Sequence, residues 1–86
     1  MKDFGFNAAL EFLRGGDRVC RSGWNGKGMW LIEADGGTFK INGRIEGDLT
    51  PFIVMKTADN KFVPWLCSQT DMLALDWQIV ESEHAT

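Results

Sequence analysis

The chain is poor in the groups on which most enzyme and metal chemistry rests. Among 86 residues there is one histidine, His84, and it lies in the polar tail, while the only cysteines are Cys20 and Cys67. A serine or cysteine nucleophile needs a positioned base, and a zinc site needs four ligands drawn from Cys, His and carboxylate. A lone histidine in the tail is a poor base, and two cysteines without further ligands are a poor metal pair, so the reading is no catalytic residue, no metal and no cofactor. Cys20 and Cys67 sit in apolar, strand-like surroundings and are expected as two buried thiols, not as a disulfide. The stretch Gly23-Trp24-Asn25-Gly26-Lys27-Gly28 superficially suggests a phosphate loop. However, Arg21 stands where the leading glycine belongs, and Gly28 follows the lysine where Ser or Thr is required. Asp71 and Asp76, five residues apart, would point to different sides of a helix and make a weak acid–base pair. These absences argue against an enzyme.

Positive charge is also scarce. The formal net charge is −3 and the pI is near 4.9, which argues against binding to long nucleic acid, an activity that depends on clustered Lys and Arg neutralising many phosphates. A small anion stays within reach, because Arg18, Arg21 and Lys27 fall close together in the chain and could focus local positive potential, although such a set is more often a solvated face. No apolar run approaches the roughly 20 residues of a membrane helix, and the Met-Lys-Asp-Phe start has no signal-peptide h-region. A cytoplasmic location is expected. The length allows one domain, residues 1–86, with 81–86 as a fraying tail.

What is present describes a small α+β fold: an antiparallel sheet with an N-terminal helix and a short second helix before the last strand. Phe6, Ala9, Leu10 and Leu13 recur at helical spacing, with Asn7 as N-cap and Gly15-Gly16 as the stop, so a helix is predicted over Asn7 to Arg14. Strands are predicted at Asp17 to Arg21, Met29 to Glu33, and Phe52 to Lys56, the last turning through Ala58 to Lys61 into Phe62 to Trp65. Pro64 implies a sheet edge. Thr38 to Thr50 reads as a polar excursion with one short strand around Phe39 to Ile41. Ser68 with Asp71 resembles a capping box that opens a helix to about Ala74, and Trp77 to Val80 closes the sheet.

Aromatic residues are plentiful: four Trp and six Phe. Trp30 and Trp77, within apolar strand runs, are expected in the core. Trp24, in a Gly-rich loop, and Trp65, beside Pro64, are equally suited to burial and to contact with a ligand or subunit. The run Val63 to Trp77 places two indoles around Ser68, Gln69, Thr70 and Asp71, which combine a flat stacking face with donors and acceptors, as a planar ligand with polar edges requires. Ser68 and Asp71 also serve as helix caps, Asn25 also suits a turn, and Met55 also suits a packing gap. So much large aromatic surface in so short a chain further implies a homo-oligomer.

Arg21 to Met29, Met55-Lys-Thr-Ala-Asp59, and Val63 to Ala74 with Asp76-Trp77 occur in the order and spacing of a known family. On these motifs the chain resembles the small phage-encoded Thoeris anti-defence sponges of the second type, and the resemblance covers nearly the whole sequence. It implies capture, without cleavage, of a cyclic ADP-ribose isomer made by a bacterial immune TIR enzyme, so that the downstream effector is never triggered. It also implies a homotetramer with nucleotide pockets between protomers. On this reading the ligand-binding set is Trp24, Asn25, Lys27, Met55, Trp65, Ser68, Gln69, Thr70 and Asp71. A broader cyclic-dinucleotide or oligonucleotide sponge, and a pure protein-interaction module, use the same aromatic and polar residues.

Overall fold

The computed structural model describes residues 3–24 and 28–81. Asn25, Lys27 and the tail from 82 lie outside the described residues. The element order is α1 (Phe6–Arg14), β1 (Val19–Arg21), β2 (Trp30–Ala34), β3 (Gly37–Ile41), β4 (Ile45–Leu49), β5 (Phe52–Lys56), β6 (Phe62–Pro64), α2 (Gln69–Leu73) and β7 (Trp77–Ile79). The fold is α+β, with the N-terminal helix, antiparallel sheet and short second helix that the sequence pattern predicts. The main sheet has the order β6-β5-β2-β1-β7, so Pro64 does sit on an edge strand, where its missing N–H leaves no ladder bond unmade. The outer edge of β7 is met by Phe4, which exchanges two 3.0 Å backbone hydrogen bonds with Trp77.

Strand pairing sorts the side chains into two faces, because residues directly opposite in a ladder point the same way. Val19 pairs with Leu31 and Ile79, Arg21 with Trp77, and Leu31 with Met55. This face is covered by α1, whose Ala9 and Leu13 are fully buried together with Val19, Leu31 and Trp77. The opposite face, carrying Trp30, Ile32, Val54 and Phe62, has no helix over it and is at best half-buried. Trp30 is therefore not core, contrary to the sequence expectation. Its indole lies edge-on to Phe62 at 6.0 Å and under the Arg18 guanidinium at 5.0 Å, with the Lys56 ammonium 5.9 Å from its centroid. Long cationic side chains cover it in place of a helix.

Three local expectations need correction. The cap of α1 is Gly5 in extended conformation with no side-chain hydrogen bond, so Asn7 does not cap the helix. The excursion after β2 is a complete hairpin of two strands, β3 and β4, and not a loop with one strand. Its turn holds Asn42 and Gly43 at φ 56° and 68°, the left-handed conformation that Asn-Gly accepts at little cost. Cys20 and Cys67 are free, but each is only half-buried.

Candidate functional site

Arg21 organises the corner where β1, the following loop, α2 and β7 meet. It stands at the end of β1 opposite Trp77, so its side chain leaves the sheet on the helix-covered face near the C-terminal segments. Its Nη1 donates to Asp71 Oδ1 at 2.8 Å and its Nε to Asp76 Oδ1 at 2.8 Å. The guanidinium thus ties α2 to the entrance of β7. Asp76 continues the chain of bonds, because its Oδ2 accepts from the Gly23 N–H at 2.9 Å and from the Ser22 hydroxyl at 3.3 Å. A Cβ at Gly23 would stand 2.8 Å from that same oxygen, so any larger residue there would have to push the Asp76 carboxylate aside. The Arg21 side chain is 17% exposed, and charge-assisted bonds at this depth are stronger than surface pairs.

Electrostatics follow the geometry. Hydrogen bonding from Arg21 and from the Gly23 amide holds the Asp76 carboxyl below the usual carboxylate range, against the opposing effect of partial burial. The Arg21 guanidinium is correspondingly held more firmly in its charged form by Asp76 and Asp71. Burial, helped by the nearby Asp76 and Asp71 charges respectively, pushes the Cys20 and Cys67 thiols up, so neither is an activated nucleophile.

The corner also gathers aromatic rings. Trp77 is fully buried and its Nε1 donates to the Asp71 carbonyl at 3.0 Å, so α2 lies across it. Trp24 meets Trp77 edge-on at 5.4 Å, and its own Nε1 reaches Asp71 Oδ1 at 3.4 Å. Trp65 approaches Trp77 edge-on at 6.1 Å and Phe6 at 5.9 Å. Trp24 and Trp65 are both half-buried, each with part of the indole packed on the core and part open to solvent.

Of the residues singled out in the sequence, Trp24, Trp65, Ser68, Gln69, Thr70 and Asp71 are carried by the loop after β1 and by the segment around α2 that borders it. Ser68 accepts from the Asp71 N–H at 3.1 Å, as the capping pattern predicts. Gln69 and Thr70 are exposed, and neither makes a side-chain hydrogen bond among the described residues. Met55 stands apart, on β5 opposite Leu31, at the margin of the core.

Two expectations are overturned. Arg18 and Arg21 do not pool their charge: Arg18 crosses to the open face over Trp30 and donates to the Glu81 carbonyl at 3.0 Å, while Arg21 is neutralised by two aspartates. Asp71 and Asp76 do not diverge as two positions of one helix, because α2 ends at Leu73 and both carboxylates converge on Arg21. Sequence reasoning missed Asp76 and Arg21 as organisers of the site. The available signal was an arginine just before the Gly-rich loop, and two aspartates that are the only charged residues between Phe62 and Val80.

A small α+β domain with an arginine-tied aromatic corner defines the class. Comparison with known proteins defines the family. The model of the Thoeris anti-defense 2-like domain matches residues 4–80. The chain is also 46% identical over 85 residues to a protein of Bacillus phage SP01 named Thoeris anti-defense 2, a match spanning 87% of this chain and 92% of that protein. The chain belongs to the Thoeris anti-defense 2 family, and an anti-defence role follows. No helix among the described residues is long and apolar enough to cross a membrane.

Proposed function

We propose that this protein acts in the host cytoplasm by sequestering, intact, a cyclic ADP-ribose-type immune signal, such as a glycocyclic ADP-ribose isomer, and thereby keeps the Thoeris effector silent. The observation that carries the reading is the pair of half-buried indoles, Trp24 and Trp65, beside a row of unengaged polar groups on α2. Adenine stacks on an open indole face, an interaction worth about 1–3 kcal/mol per base. Gln69, Thr70 and Asp71 Oδ2, which Arg21 and Trp24 leave free among the described residues, suit ribose hydroxyls and base edges. Lys27, with Asn25 beside it, follows Trp24 in the chain and supplies positive charge for the pyrophosphate. No bond is cleaved, since the groups at the corner are committed to one another: the one arginine is paired with both carboxylates, and neither cysteine is activated.

Self-association completes the site. Leu66, Leu73 and Leu75 surround α2 and are 90%, 72% and 79% exposed, an apolar rim that a second protomer would cover. A homotetramer with pockets between protomers fits this surface. The test is to incubate the purified protein with lysate from cells carrying an activated TIR system, wash it, heat it, and identify released small molecules by mass spectrometry. Release of a cyclic ADP-ribose isomer is expected. Release of a cyclic dinucleotide alone would move the assignment to the broader sponge reading, and release of no nucleotide would leave the α2 rim as a protein-docking surface.

A further inference from the structure

Among the described residues the hairpin β3–β4 touches no other element of the fold, and its two strands form a sheet of their own with both outer edges unpaired. Its neck is tight, because the Gly36 backbone passes so close to Leu49 that any side chain there would collide with the Leu49 carbonyl. Beyond the neck the strands alternate cleanly. Phe39 stands opposite Gly47 and Gly37 opposite Leu49, on one face, while Thr38 opposite Asp48 and Lys40 opposite Glu46 occupy the other. On the first face Phe39, Ile45 and Leu49 are 46%, 64% and 39% exposed. Such alternation belongs to a half-buried sheet, yet nothing among the described residues covers the apolar side. A lone two-stranded hairpin is marginal in water, and unpaired edges are a template for further pairing.

We propose that β3 pairs edge to edge with β3 of a second copy of this chain, antiparallel about a two-fold axis through Phe39, giving a four-stranded sheet β4-β3-β3-β4. Charge decides both the partner and the edge. In this register Phe39 faces the partner's Phe39, and Lys40 faces the partner's Thr38, whose hydroxyl already donates to Asp48 at 2.7 Å. Read across the polar face, Glu46, Lys40, the partner's Thr38 and the partner's Asp48 place the cation between acids. Pairing through β4 about Gly47 would instead set Glu46 directly against the partner's Asp48, and like charges directly opposite oppose pairing. The β3 edge is thus self-complementary and the β4 edge is self-repelling. The inference deepens the assembly in the proposed function: a closed tetramer of dihedral symmetry needs two different two-fold contacts, and the α2 rim and the β3 edge are two separate surfaces.

The test is Thr38→Lys, read by sedimentation velocity at micromolar concentration. Within one hairpin the substitution places a cation opposite Asp48, which favours the hairpin; across the two-fold it sets that cation against the partner's Lys40. The expected result is an assembly of half the wild-type mass with an unchanged far-ultraviolet spectrum. Adding Lys40→Glu and Glu46→Lys restores opposite charges both across the axis and within the hairpin, and should restore the wild-type mass. A wild-type oligomer whose mass is indifferent to Thr38→Lys overturns the β3 contact and leaves the assembly at the α2 rim intact. A wild-type chain that is itself monomeric overturns both.

Discussion

The two faces of the main sheet are built from the same kinds of residue and end in different states. On one face Trp77 is fully buried beneath α1 and α2, with its N–H bonded and three aromatic rings around it. On the other, Trp30 has, among the described residues, a phenyl edge and two cationic side chains for cover. Both tryptophans stand in short apolar strands. The difference comes from outside the strands: α1 supplies Ala9 and Leu13 to one face, and no element supplies anything to the other. The covered face is the one that positions the candidate site, since Trp24 and Trp65 take their places by packing against Trp77.

The largest expected effect separates the two faces directly. Trp77→Ala should cost about 3–5 kcal/mol, as large-to-small changes in cores do, and leave little folded protein. Trp30→Ala should cost no more than about 1 kcal/mol, because only partial burial and a solvent-exposed cation–π contact are lost. Urea denaturation midpoints measure both, and equal losses would erase the distinction between the faces.

Arg21→Ala comes next, at about 1–3 kcal/mol, since it leaves two partly buried carboxylates without their shared donor. It should also weaken ligand binding, because Asp71 and the loop to Trp24 lose their common anchor. Titration calorimetry beside the denaturation curve separates the two consequences. Trp24→Ala is expected to reduce affinity for a cyclic ADP-ribose isomer by roughly 5- to 150-fold, the equivalent of one lost base stack, with a smaller stability cost than Trp77→Ala. Trp65→Ala should lose similar affinity but more stability than Trp24→Ala, because it also packs on Phe6 and Trp77. Wild-type affinity in both folded variants would remove the indoles from the site.

The smallest effect is in pH. An unfolded aspartate titrates near ~3.9, and the folded Asp76 titrates below it. The stabilisation from Asp76 is therefore fully present above the unfolded value and disappears as pH falls through the folded one. Asp76→Asn should lower stability at neutral pH and flatten this part of the acid limb. Parallel acid limbs for wild type and variant would show that the carboxylate charge is not what holds Gly23 and Arg21.

Much of this architecture was legible in the sequence, and the failures have identifiable causes. The helix from Phe6, the strand at Phe52 to Lys56, the Ser68 cap and the Pro64 edge follow from local pattern and stereochemistry, which a single chain states openly. Trp30 was misplaced because a buried strand and a strand lacking its cover have the same local composition. The β3–β4 hairpin was missed because its strands are short and polar at alternate positions, although Asn42-Gly43 between them is a strong hairpin signal. The convergence of Asp71 and Asp76 on Arg21 spans 50 and 55 residues of chain, and no local spacing rule reaches that far.

The central claim is capture without chemistry at the Trp24–Trp65 corner. It is tested most directly by mixing the protein with excess glycocyclic ADP-ribose, separating bound from free, denaturing the protein, and quantifying what returns to solution. The account predicts full recovery of the intact cyclic molecule and protection that saturates at a fixed ligand-to-protomer ratio. Turnover beyond one ligand per site, with linear product accumulating, would contradict it.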